Sequence, residues 1–125
     1  LGYNSDMTSF APKAHLTAPV WNWSVVYKKV AEEVHNGTWT SGEYWGGLGD
    51  GVVDLAPYND LVPQEVRDLV EAKRAEIVAG TWDVFTGPIN NQAGEPMVAD
   101  GERMADGDML GMSAFVEGVV GQMPG

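Results

Sequence analysis

Three tryptophans, Trp21, Trp23 and Trp45, stand beside polar or Gly-rich positions rather than inside a continuous apolar run, and they are the first candidates for chemistry. An indole face stacks on flat rings and its N–H demands a partner when buried, so a Trp next to Asn or Gly suits a cleft for a planar polar ligand. The competing reading of any Trp is a place in the core, and it is stronger for Trp23, which falls on the apolar stripe of a helix. Bond-making chemistry finds less support. Gly47-Leu48-Gly49-Asp50-Gly51 meets neither the dinucleotide fingerprint nor the P-loop pattern, and no Lys-Ser/Thr follows, so it reads as a tight turn. Asp100, Asp106 and Asp108 lack the twelve-residue calcium loop with its closing Glu, and read as solvated carboxylates. His15 and His35 are too far apart for the i, i+4 pairing that puts two imidazoles on one helix face. A Gly-x-Ser-x-Gly elbow is missing, and among 18 acidic residues some carboxylate pairs arise by chance. No catalytic residue, metal ligand or cofactor is therefore expected.

Composition narrows the partners. The 125 residues carry a formal net charge of −11, which argues against nucleic acid, because phosphate binding needs clustered Lys and Arg to displace counterions. No stretch approaches the roughly 20 apolar residues of a membrane-spanning helix. The absence of cysteine excludes disulfides and thiolate sites, and leaves the redox compartment open. No initiator Met opens the chain and no signal-peptide pattern follows it, so the start is expected to come from processing, truncation or cloning.

The elements that must position the tryptophans follow from periodicity. Residues 1–18 read as a strand end and the loop beyond it. From Asn22, apolar residues at Trp23, Val26, Tyr27, Val30 and Val34 lie on one helical face, with Lys28, Lys29, Glu32 and Glu33 opposite, and Asn36-Gly37 marks the stop. His35, in the last turn, is well placed for the helix dipole. Pro63 opens a second helix through Val66, Leu69, Val70 and Ile77, ending at Gly80. A short strand is expected over Val52–Leu55 and a hairpin around Asn90-Asn91-Gln92-Ala93-Gly94. The tail from Asp106 to Val120 has a helical pattern diluted by Gly111 and Gly118. Strands alternating with helices imply an α/β fold without a long linker.

Taken in order, Gly2-Tyr3-Asn4-Ser5-Asp6-Met7, Leu16-Thr17-Ala18-Pro19-Val20-Trp21-Asn22-Trp23, Asn36-Gly37-Thr38-Trp39, Tyr44-Trp45-Gly46-Gly47-Leu48, Asp50-Gly51-Val52-Val53-Asp54-Leu55-Ala56-Pro57-Tyr58, Phe85-Thr86-Gly87-Pro88-Ile89 and Phe115-Val116-Glu117-Gly118-Val119 resemble the C-terminal portion of the basic membrane lipoprotein family. The likeness runs over essentially the whole chain. It implies a periplasmic-binding-protein fold of type 1, two Rossmann-like α/β lobes with the ligand held between them. Residues 1–125 would be the end of that fold, with the N-terminal lobe and signal sequence lying outside them. It also implies an extracytoplasmic solute-binding component of an ABC importer, PnrA-like. Such a protein takes a purine or nucleoside, hands it to a membrane permease and makes or breaks no bond. Its place would be the periplasmic or outer face of the bacterial membrane, lipid-anchored in the full-length protein.

Two positions depart from the family's nucleoside-binding pattern. Where that pattern has Gly-x-Asp-x-Asp, this sequence has Asn4 first and keeps Asp6, and where a Lys follows the Leu-Thr-Ser stretch it has Trp21. An amide and an indole in place of charged hydroxyl binders remove charge-assisted hydrogen bonds and add a stacking surface. The resemblance thus implies a flat purine-like base, with Trp21 stacking and Asn4 or Asp6 reading polar groups, and Trp23 and Trp45 completing the ligand-binding candidates. One side of a cleft cannot close it, so these residues alone are expected to bind ligand poorly. The apolar faces of both helices should stay open, favouring domain swapping or oligomerisation. The competing function classes are a self-contained, non-catalytic interaction module, in which the tryptophans are core, and a carboxylate-dependent hydrolase.

Overall fold

The 3.6-residue stripe beginning at Trp23 becomes helix α1 (Trp23–His35), as its spacing predicts. The computed structural model describes residues 1–122 and divides into two units, 1–79 and 80 onward. In the first unit α1 stops in a Schellman arrangement: the Gly37 N–H donates to Val34 O at 3.2 Å and the Thr38 N–H to Glu33 O at 2.9 Å. Gly37 has φ 68°, a conformation costly for any residue with a Cβ.

Strand β1 (Pro19–Trp21) precedes α1, and β2 (Val53–Leu55) follows it and pairs with β1 in antiparallel register, Pro19 opposite Leu55 and Trp21 opposite Val53. Backbone bonds extend the ladder at both ends, from the Ala56 N–H to Ala18 O and from the Asn22 N–H to Val52 O, each 2.8 Å. The apolar side chains buried in this unit are Ala18, Val52, Ala56 and Val62. The Gly-rich segment before β2 is the expected turn, in which Asp50 Oδ2 accepts the Gly47 N–H at 2.9 Å and Gly51 takes φ 73°.

Helix α2 (Gln64–Val78) begins directly after Pro63, whose φ of −58° is set by its ring. Arg67 fastens its first turn to the preceding loop, donating to Val62 O and Asn59 O at 2.9 Å each. Arg74 Nη2 reaches the Asp54 carboxylate of β2 at 2.7 Å. No residue of α1 or α2 is buried. A hollow of about 550 Å³ between the ladder and α2 is lined by Pro19, Leu48, Val53, Leu55, Leu69 and Ile77 among others. The apolar helix faces are thus open, as expected.

In the second unit, β3 (Ile89–Asn90) and β4 (Pro96–Val98) form the expected hairpin. Asn91 shapes its turn, its Oδ1 accepting the N–H groups of Ala93 and Glu95 at 2.9 and 3.0 Å, while Gly94 takes φ 80°. Val98 and Met104 are its buried apolar residues.

The tail departs from its pattern. A helix over residues 106–120 is not what forms: α3 covers only Asp106–Leu110 and stops at Gly111. Beyond it the backbone pairs with the hairpin, the Gln92 N–H donating to Phe115 O at 3.0 Å and the Glu117 N–H to Asn90 O at 2.9 Å. Extended pairing satisfies those backbone groups where two glycines weaken the helix, and Gly118 sits at φ 89°.

The described residues therefore make an α/β fold of helices and two antiparallel strand pairs. No helix among them is long and apolar enough to cross a membrane.

Candidate functional site

Trp21 closes β1, and the Asn22 N–H bond to Val52 O holds the chain at the point where strand becomes helix. Two residues on, Trp23 opens α1, and its ring centroid lies 6.0 Å from that of Trp21 with the planes 31° apart. One helical turn further, Tyr27 stacks on Trp23 at 6.4 Å and 22°, the i, i+4 contact of neighbouring positions on one helix face. These three rings form a continuous aromatic shelf, with Trp21 44% exposed and Trp23 52%. Trp23 is therefore not part of the core of the described residues, although Val26 on the same helical stripe is half-buried and shares a hollow with Val30, Trp39 and Tyr44. None of the five tryptophans is buried.

Tyr27 is a shelf member that the sequence did not mark as a ligand-binding candidate. Its only signal was the four-residue spacing from Trp23, which a core stripe shares. Trp45 does not join the shelf, since among the described residues the ring contacts are those of Trp21 with Trp23 and Trp23 with Tyr27. It lies exposed beside Gly46, where an added Cβ would meet the Tyr44 ring at 2.7 Å.

Asn4 and Asp6 occupy the opening loop. The Gly2 N–H donates to Thr17 O at 3.0 Å, which ties this loop to the segment that runs into β1 and Trp21. Asn4 has φ 58°, a left-handed conformation that Asn tolerates better than most residues. Asp6 Oδ1 accepts the Thr8 N–H at 2.9 Å and the Thr8 hydroxyl at 2.5 Å, an Asx-type turn. His15 Nε2 lies 3.3 Å from the same oxygen. His15 itself is buried, only 4% exposed, and its Nε2 makes no hydrogen bond of acceptable geometry. The sequence offered no sign of this contact, because Asp6 and His15 meet only through the closure of the loop.

The Thr8 hydroxyl, then the Thr8 N–H, hold the Asp6 carboxyl below its usual value, with a further lowering from His15 and an opposing effect of burial. A carboxyl whose folded pKa is depressed contributes stability that is complete above its unfolded pKa and is lost as pH falls through the folded value. The opening loop is therefore expected to keep its order at neutral pH and to loosen below about pH 4. The Asp6 carboxyl ¹³C shift, followed during acid titration of the complete protein, checks this: a midpoint at or above the ordinary value contradicts it.

Among the described residues no group of three metal-ligating side chains comes together. The arrangement offers an exposed aromatic platform and, in the loop leading to it, a carboxylate in an ordered turn. That is equipment for holding a flat, polar ligand.

Residues 1–84 match the family described as ABC transporter substrate-binding protein, PnrA-like. A purine-binding protein of Brucella abortus (strain 2308) is 40% identical over 123 residues, which cover 98% of this chain and 35% of that protein. A protein of Haloferax volcanii that carries the name ABC transporter glucose-binding protein is 33% identical over 124 residues, covering 98% of this chain and 29% of its own length. Among solved structures, a transcriptional activator of the comK gene from Bacillus halodurans is similar with a TM-score of 0.59 at 26% identity, over 67% of this chain and 30% of that one. The chain spans about a third of the length of the curated relatives it matches.

Proposed function

Because this chain belongs to the PnrA-like family of ABC transporter substrate-binding proteins, we propose that the complete protein is the extracytoplasmic receptor of an importer and that its ligand is a purine-type base. The observation that carries the ligand class is the exposed shelf of Trp21, Trp23 and Tyr27. A purine presents two flat faces and a rim of donors and acceptors. Stacking on an indole takes the first, and the amide of Asn4 and the carboxylate of Asp6 suit the second. The relative from Brucella abortus, named for purine binding, supports the same ligand. Binding works by closure of two lobes around the base, after which the closed form is presented to a membrane permease. No step in this cycle makes or breaks a covalent bond.

A sugar is the second reading, favoured by the name of the Haloferax volcanii relative and by the ability of an aromatic face to take the apolar face of a pyranose. Mass spectrometry of ligand released from the purified complete protein, followed by calorimetric titration with adenine and with glucose, separates the two. The expected result is a co-purified purine and adenine binding at about micromolar affinity or tighter, roughly −8 kcal/mol or better. Glucose binding with no response to adenine would replace the purine by a hexose. Binding of neither would remove both.

A further inference from the structure

We infer that His15 is a positioning residue for the ligand site: from inside the opening loop it holds Asp6 by one carboxylate oxygen and leaves the other to the ligand. The inference rests on the purine-type reading above, in which Asp6 is one of the polar groups that face the base.

A buried imidazole nitrogen without a hydrogen bond is costly, so its placement calls for a reason. Nε2 of His15 sits 3.3 Å from Asp6 Oδ1, within reach of a hydrogen bond but outside its geometry. Contacts of that kind tighten when a site is occupied. All the polar contacts of Asp6 among the described residues, two from Thr8 and one from His15, fall on Oδ1. The Asp6 side chain is nonetheless 45% exposed, which leaves Oδ2 for a donor such as a ring or exocyclic N–H of a base.

The histidine is the fixed partner of the pair. Its own N–H donates to Ala11 O at 2.8 Å, and Asn59 clamps the segment on either side, its side-chain amide to Pro12 O at 3.0 Å and its N–H to Leu16 O at 2.8 Å. Gly2 lies so close that a Cβ there would stand 2.9 Å from His15 Cε1, so the imidazole also supports the backbone two residues before Asn4. With the proton on Nε2, a donor held this way sets the carboxylate plane of Asp6 before ligand arrives.

Adenine affinity of the complete protein, measured by calorimetry in four single variants and one double variant, tests this. His15→Leu keeps bulk and removes the donor, and is expected to weaken binding about tenfold, the lower end of what losing an orienting partner costs at metal sites. His15→Gln, with an N–H near the Nε2 position, is expected to restore most of the affinity. In Asp6→Asn the effect of His15→Leu should disappear, because both changes act through one contact. Unchanged binding in His15→Leu, or a loss that adds in full to that of Asp6→Asn, overturns the inference. If Trp21→Ala weakens adenine binding while Asp6→Asn does not, the His15 role falls and the purine reading stands. If neither matters, both fall. Should His15→Leu fail to fold, the imidazole ¹⁵N resonances decide: Nε2 of His15 is expected to shift on adenine addition in the unmodified protein but not in Asp6→Asn, and no shift overturns the role.

Discussion

Trp21→Ala is expected to lower the adenine affinity of the complete protein by tenfold to a hundredfold, with little change in thermal stability. The size follows from the value of stacking a base on an aromatic side chain, about 1–3 kcal/mol. The selectivity follows from position. Trp21 is 44% exposed at the end of a strand, so the fold loses little when its indole is removed, whereas the shelf loses its outer ring. Its backbone pairing with Val53 does not depend on the side chain. Trp21→Phe keeps a flat face and should retain most of the binding. Trp23→Ala should cost less than Trp21→Ala, because Trp23 lies between the other two rings and in the proposed site only supports Trp21. Calorimetric titration beside a melting curve reads both quantities. Wild-type affinity in Trp21→Ala would remove this residue from the site and the stacking argument with it.

Gly87→Ala is expected to be the most damaging small substitution in the second unit. A Cβ at this position would lie 1.9 Å from the carbonyl oxygen of Ala99 and 2.7 Å from that of Val98. Both are backbone atoms, so no side-chain rotation relieves the clash. The local chain is also pinned: the Gly87 N–H donates to Glu102 O at 2.8 Å, and the Gly101 N–H donates to Gly87 O at 3.3 Å. Forced overpacking of this kind costs about 3 kcal/mol or more. Hydrogen exchange of the peptides spanning residues 85–104 should accelerate strongly. Gly94→Ala provides the contrast, since its φ of 80° is unfavourable for alanine but no atom lies within 4 Å, and its cost should stay near 1–2 kcal/mol. Equal exchange in the two variants would show that the close approach at Gly87 is not what holds this segment.

Local signals carried much of the fold. Both long helices lie where periodicity, Pro63, Gly37 and Gly80 put them, because helix formation and its stop are decided by neighbours within a turn or two. The hairpin at Asn91 and the turn at Asp50 are likewise local, made by a side chain bonding to backbone a few residues away. The tail was misread for a reason of the opposite kind. Its helical spacing over residues 106–120 competes with strand-like pairing to Asn90 and Gln92, and a partner some 25 residues away in the chain leaves no trace in a local pattern.

For the candidate site, residue type and order in the sequence by themselves determined the family and singled out Trp21, Asn4 and Asp6 as candidates. An indole, an amide and a carboxylate advertise their chemistry wherever they stand. Only the tertiary structure decided which of them work together. It left Trp23 and Tyr27 exposed at the start of α1, where they extend Trp21 into a shelf instead of filling a core among the described residues. It kept Trp45 out of that shelf and brought His15 against Asp6, nine positions away along the loop. The physical reason is that periodicity specifies which face of an element is apolar, while exposure and side-chain contact depend on what the rest of the chain lays against that face.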